Sequence, residues 1–171
     1  MRTGTLQSNN AALAVAITPE NRPFSLQTNE YALALDRISD PGNLGTLLRI
    51  ADWYGINKVF CNLNTAELYN PKVIAASMGS FTRVQVFYCD LESEIITQKL
   101  PVYGAFLEGD DVHGVHFSEG GILLMGSEAH GVGENLEKLV TQKVFIPRYG
   151  GAESLNVAIA AAVIIDNIRR R

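Results

Sequence analysis

The chain has 171 residues, 47% of them hydrophobic, which allows one well-buried core and little more. It carries 14 basic and 18 acidic residues for a net charge of −4, so it lacks the overall basic footprint usual in nucleic-acid binders. This argues against binding through bulk charge but leaves room for a local patch. Arg37, Arg49, Lys58, Lys72, Arg83 and Arg148 are scattered along the chain and could converge into one. The closing "IRRR" reads as a helix C-terminus with favourable charges. Cys61 and Cys89 end apolar runs and have no CxxC spacing, so we expect core thiols in a reducing compartment. No signal segment and no apolar run of 18 residues is present, and the expectation is a soluble, cytoplasmic protein with no membrane partner.

In chain order, "LQSNNAALAVAI" holds one candidate strand and is followed by a Pro- and Asn-rich connection, "TPENRPFSLQTNE". Residues 1–30 therefore read as an N-terminal arm or the remnant of an interdomain linker, and the domain proper spans 31–171. Strand-like runs follow at "YALALD", "KVFCNL", "VQVFY", "VYGAFL", "GILLMG" and "KVFIP". Helical spacing fits 44–54, 71–78, 90–99, 134–140 and 154–169. This alternation predicts an α/β fold with a mostly parallel sheet flanked by helices. The strand-like runs are apolar throughout, as strands covered on both faces should be. The last helix, "SLNVAIAAAVIIDNIRR", is apolar almost all round until Asp166. We expect it to be buried on all sides, with a second subunit supplying part of the cover.

Three strand-end loops carry polar residues that a bare scaffold would not need, at the edge where open α/β sheets bind ligands. In the first, "DRISDPGN", Asp40-Pro41-Gly42 is turn chemistry and Asn43 reads as the helix N-cap. Arg49 leans back over position 45, where Gly45 leaves space for it. In the second, "MGSEAHGVG", a glycine-rich turn carries Glu128 and His130. The turn lacks GK[ST] and the third glycine of GxGxxG, so it is neither a P-loop nor a dinucleotide turn. In the third, "IPRYGGAESLNVA", Ser154 reads as the cap of the last helix and Asn156 as a polar residue in its first turn. Convergence of the three loops is the inference.

Other groupings carry less. Asp110, Asp111, His113 and His116 form a loose metal-ligand pattern in a hydrophilic connector, and we assign no metal there. Trp53 and Tyr54 close the first helix and read as packing residues rather than a base-stacking platform. No Ser-His-acid or Cys-His signature stands out.

Taken together, "DRISDPGNLGTLLRIADWYGINKVF", "LLMGSEAHGVG" and "IPRYGGAESLNVAIAAAVIIDNI" resemble, in order and spacing, the three motifs of the SpoU (TrmH-like) branch of the SPOUT RNA methyltransferases. "NPKVIAASMGSFTRVQVF" is similar to the family's segment between motifs one and two, and the likeness covers residues 31 to 169. The resemblance implies a SPOUT-type α/β fold with a C-terminal trefoil knot, which periodicity does not reveal. It further implies S-adenosylmethionine as methyl donor, structured RNA as substrate, a ribose 2′-hydroxyl as acceptor, and a homodimer.

Carried over by motif position, Asn43, Arg49, Glu128, Ser154 and Asn156 are the implied catalytic set. Leu124, Met125, Gly126, Gly131, Ile146, Pro147, Ser154, Leu155 and Asn156 are the implied cofactor contacts, made largely through backbone atoms. Methyl transfer from a sulfonium needs alignment and help with proton loss, and no metal. A guanidinium keeps its proton in proteins, so orientation of the ribose and stabilisation of developing alkoxide charge suit an arginine better than a general-base role.

Arg148 stands where motif three commonly has methionine. The family's ribosomal-RNA enzymes often carry an N-terminal RNA-binding domain, and the opening segment is similar to the linker that follows it. We therefore expect the catalytic part of a longer protein, with ribosomal RNA favoured over transfer RNA as substrate. A single-domain transfer-RNA 2′-O-methyltransferase and a catalytically silent RNA-binding or assembly protein of the same fold are the alternatives.

Overall fold

The computed structural model describes residues 15–170. The candidate strand near the N-terminus lies mostly outside them, and residues 15–27 have no regular secondary structure. The expected strands and helices follow in order: β1 (Tyr31–Asp36), α1 (Pro41–Trp53), β2 (Lys58–Asn62), α2 (Pro71–Ser77), β3 (Gln85–Cys89), α3 (Leu91–Gln98), β4 (Val102–Asp111), β5 (Gly121–Gly126), α4 (Glu134–Glu137), β6 (Gln142–Phe145) and α5 (Val157–Arg169). The strands form one sheet in the order β3-β2-β1-β5-β4-β6, and every pairing is parallel. β5 runs beside β1 from Tyr31 opposite Gly121 to Asp36 opposite Gly126, so their carboxyl ends finish side by side.

Two apolar layers explain the unbroken hydrophobic runs. Leu33, Leu35, Leu123 and Met125 face one side with α1 and α5. Ala32, Ala34, Ile122 and Leu124 face the other with Leu91, Ile95 and Leu136. All six residues of β1 are buried, which matches a parallel strand covered twice. Cys61 is buried and Cys89 half-buried; burial raises both thiols, Cys89 to about 12, so neither is a ready nucleophile.

The N-terminal connection does more than link. Asn21 donates to the Tyr88 carbonyl and accepts from its amide, occupying part of the free edge of β3. Phe24 stacks near Phe60 with ring centroids 4.7 Å apart.

Several local expectations need correction. The cap of α1 is Asp40, whose carboxylate accepts from the Asn43 amide at 2.8 Å; Asn43 is a third helical residue. Pro41 fixes a helical φ and has no N–H to leave unsatisfied, so the helix starts there. The cap of α5 is Asn156 rather than Ser154, and the helix begins at Val157. That helix is not buried on all sides: Ile159 is 54% exposed. Trp53 is likewise not a packing residue but 84% exposed, whereas Tyr54 packs and donates to Asp166 at 3.2 Å. Gly45 makes room for α2 and not for Arg49, since a Cβ there would lie 2.6 Å from both Ala76 Cβ and the Val73 carbonyl.

Candidate functional site

Three chain segments meet at the carboxyl edge of the sheet. Asn43 stands in the first turn of α1, after β1; Glu128 lies on the loop after β5; Asn156 caps α5, after β6. Asn43 Nδ2 donates to Glu128 Oε1 at 2.8 Å. Asn156 Nδ2 donates to Asn43 Oδ1 at 2.9 Å and to Glu128 Oε1 at 3.0 Å. The other side of the Asn156 amide accepts from the Ala158 and Ile159 amides, as an N-cap should. The Glu128 carboxylate is therefore held by side chains at the starts of two helices, where the helix dipoles favour negative charge.

The loop that carries Glu128 folds back on itself. Ser127 and Gly131 exchange two backbone hydrogen bonds at 3.1 and 2.8 Å, and the His130 amide donates to Ser127 Oγ. A Cβ on Gly126 would fall 2.2 Å from the Gly131 carbonyl carbon, so only glycine permits this return. At Gly131 a Cβ would meet nothing within 4 Å, so the outer side of the turn is open.

The remaining expected residues fall into two groups. Arg49 is exposed and has no hydrogen bond or ion pair among the described residues. Ser154 is exposed, Leu155 is 48% exposed, and Ile146 and Pro147 are half-buried along the approach to α5. Leu124 and Met125, by contrast, are buried within β5 with their side chains in the two core layers. Such residues can offer a ligand only backbone atoms.

Most of the basic side chains that could have formed a patch are already engaged. Arg37 pairs with Asp36, Lys58 with Glu30, and Arg83 with Asp52. Arg148 donates to the Ala152 carbonyl at 3.1 Å and so ties its own loop together. Arg49 and Lys72 keep free charged groups among the described residues. Asp110 and Asp111, expected in a connector, instead end β4 beside β6, where Asp110 accepts from Gln142 and Asp111 from the His113 amide, and the His113 ring meets Asn167.

Asp36 escaped the sequence reading. It is only 2% exposed and accepts four hydrogen bonds, from Arg37 twice, from Asn62 and from the Gly133 amide. The available signal was an acidic residue closing a strand buried on both faces.

The family model described as the SpoU rRNA Methylase family matches residues 30–166. The chain belongs to this family. Among SpoU relatives, it is 36% identical over 160 residues to the 23S rRNA (guanosine(2553)-2'-O)-methyltransferase RlmP of Bacillus subtilis, covering 91% of this chain and 63% of the relative. It is 30% identical over 147 residues to the 23S rRNA (uridine(2479)-2'-O)-methyltransferase of Streptomyces viridochromogenes, covering 80% of this chain and 51% of the relative. The crystal structure of an AdoMet-bound rRNA methyltransferase from Sinorhizobium meliloti superposes with a TM-score of 0.81 at 32% identity, over 86% of this chain and 58% of that one. The chain thus spans between half and two thirds of the length of these SpoU relatives.

Proposed function

We propose that this chain is the methyl-transfer domain of an RNA methyltransferase that modifies a ribose 2′-hydroxyl of ribosomal RNA, with S-adenosylmethionine as donor. One observation carries the reading: Asn43, Glu128 and Asn156, brought from positions up to 113 residues apart, form a single hydrogen-bonded cluster at the carboxyl edge of the sheet. A scaffold released from chemistry has no reason to keep that cluster at a ligand-binding edge. The ribosomal-RNA enzymes among the relatives, and the AdoMet-bound neighbour, support the substrate and donor.

The residues present fit such a donor. Open space over Gly131, Gly150 and Gly151, together with the half-exposed Leu155, leaves room for an adenosine and an apolar contact for it. Leu124, Met125, Gly126, Ile146 and Pro147 would contribute through backbone, and Ser154 and Asn156 at the rim. When bound, S-adenosylmethionine supplies a methyl group activated by its sulfonium.

The chain's own part is alignment and charge. Both ends of the Asn43 amide are pinned, by Glu128 and Asn156, so its orientation is set before substrate arrives. Glu128 Oε2 accepts no hydrogen bond among the described residues and is free to meet an RNA hydroxyl. Arg49 orients the ribose or its phosphate and stabilises the alkoxide as it forms.

The same proposal includes the trefoil knot, a homodimer and a cytoplasmic setting. After β6, at the sheet edge, the chain returns to pack α5 against α1, which is consistent with a tucked C-terminus. Exposed Leu155 and Ile159 give a second copy an apolar surface to cover. Among the described residues no helix is long and apolar enough to cross a membrane.

The test is to incubate the protein with methyl-labelled S-adenosylmethionine and ribosomal RNA, then digest the RNA with alkali. Label retained in alkali-resistant dinucleotides is expected, because a methylated 2′-oxygen blocks cleavage. Label on a base would overturn the acceptor, and the absence of both label and cofactor binding would indicate a silent RNA-binding scaffold.

A further inference from the structure

We propose that Asp36 is a positioning residue that acts through the loop 127–133 to place Glu128 against Asn43 and Asn156, an inference that rests on the methyltransferase reading above. Asp36 touches none of those residues. Its Oδ2 accepts from the Gly133 amide at 2.8 Å and from Arg37 Nη2 at 2.9 Å. Its Oδ1 accepts from Arg37 Nε at 3.0 Å and from Asn62 Nδ2 at 2.9 Å. One buried carboxylate thus ties the ends of β1 and β2 to the far end of the Glu128 loop.

Arg37 extends the tie. It reaches the Gly131 carbonyl with Nη2 at 3.4 Å, while its amide donates to Asn62 Oδ1 at 3.1 Å. Arg37 holds a left-handed backbone with φ of 58°, which bulky residues adopt only where the surroundings enforce it. Asn62 is fixed in turn by Thr65, whose hydroxyl donates to it at 3.1 Å.

The loop transmits this constraint because it has no slack. Its near end is closed by the Ser127–Gly131 pair and by the contact of Gly126 with the returning backbone. Its far end is bolted at Gly131 and Gly133, and Glu128 lies between the two fixed points. A strand end that served packing alone could finish on an apolar residue. A buried carboxylate with four donors specifies position instead.

The test compares Asp36→Asn, Glu128→Gln and the double variant, with kcat normalised to cofactor-binding stoichiometry. The amide keeps only one oxygen, so two of the four donors lose their acceptor and face an NH2 group instead. We expect Asp36→Asn to lower kcat about tenfold or more while the KM for RNA stays within about twofold. In the Glu128→Gln background the same change should cost less than about twofold, since both act through one group. Amide hydrogen exchange over 127–133 should rise about tenfold or more in Asp36→Asn, with β1 and β5 unchanged. If Asp36→Asn fails to fold, Arg37→Met keeps the Gly133 bond and should show the same pattern, weaker. Multiplicative losses in the double variant, or unchanged loop exchange, would overturn the proposal. The exchange measurement needs no activity, so an inactive wild type would refute the methyltransferase reading while leaving the role of Asp36 to be decided separately.

Discussion

Asn156 serves two masters through one amide: its oxygen caps α5, and its nitrogen holds both Asn43 at 2.9 Å and Glu128 at 3.0 Å. Fold and site therefore share a residue, and substitutions can separate the two roles. Asn156→Asp keeps a capping oxygen but sets a second carboxylate against Glu128, whereas Asn156→Ala removes the cap as well. The alanine variant should lose about 1 kcal/mol in urea unfolding and the aspartate variant less, with methyl transfer falling in both. Equal loss of stability in the two would mean that the cap geometry is unimportant.

Arg49 offers the opposite case. It is exposed and unpaired among the described residues, so Arg49→Ala should change stability by no more than about 0.5 kcal/mol. Transfer should fall by about 100-fold or more, the scale for losing a group that stabilises transition-state charge. Calorimetry should show cofactor affinity nearly unchanged. A parallel fall in affinity would make Arg49 a binding residue instead.

Gly45 tests helix packing against propensity. Alanine is intrinsically better in a helix by about 1 kcal/mol, which alone predicts stabilisation by Gly45→Ala. The added Cβ would lie 2.6 Å from the Val73 carbonyl, a backbone atom that cannot step aside cheaply. Overpacking of this kind costs about 1–3 kcal/mol, so the net change should be destabilising and visible as a lower urea midpoint.

Acid should expose the ion pair beside the 3-10 turn at 80–82. Asp52 accepts from Arg83 at 2.6 Å and from Ser80 at 2.7 Å, and these bonds hold its carboxyl below the usual value. A depressed folded value means that the stabilisation is present above the ordinary carboxylate range and is lost as pH falls through the folded value. The stability gap between wild type and Asp52→Asn should therefore shrink as pH drops from about 5 to about 2. A gap that grew on acidification would contradict the assignment.

A chelator should leave transfer unchanged. Asp110, Asp111 and His113 are engaged by Gln142, a backbone amide and Asn167, and no metal-holding group of His, Cys, Asp and Glu occurs among the described residues. Loss of activity with chelator, restored by a divalent cation, would bring these residues into the mechanism.

The sequence was most informative where burial sets the pattern. Fully apolar runs such as "GILLMG" could only be strands covered on both faces, and β5 is bounded as expected. Helix starts were less legible, because neighbouring residues can cap equally well. Asp40 outcompetes Asn43, and Asn156 outcompetes Ser154, on the geometry of the preceding loop. The three polar loops were visible as anomalies, but the bonds among Asn43, Glu128 and Asn156 depend on strand order, which no local pattern encodes. Asp36 was hidden for the same reason, since two of its four hydrogen bonds come from Asn62 and Gly133, in segments distant from β1.

The place of β5 between β1 and β4 has a consequence for synthesis on the ribosome. Tyr31 finds its neighbour Gly121 only after ninety further residues have emerged, so the sheet's centre stays open until late in translation. The last partner of the cluster, Asn156, arrives later still. Such distant pairings fold slowly. A nascent chain therefore lacks the assembled cluster until Asn156 has emerged.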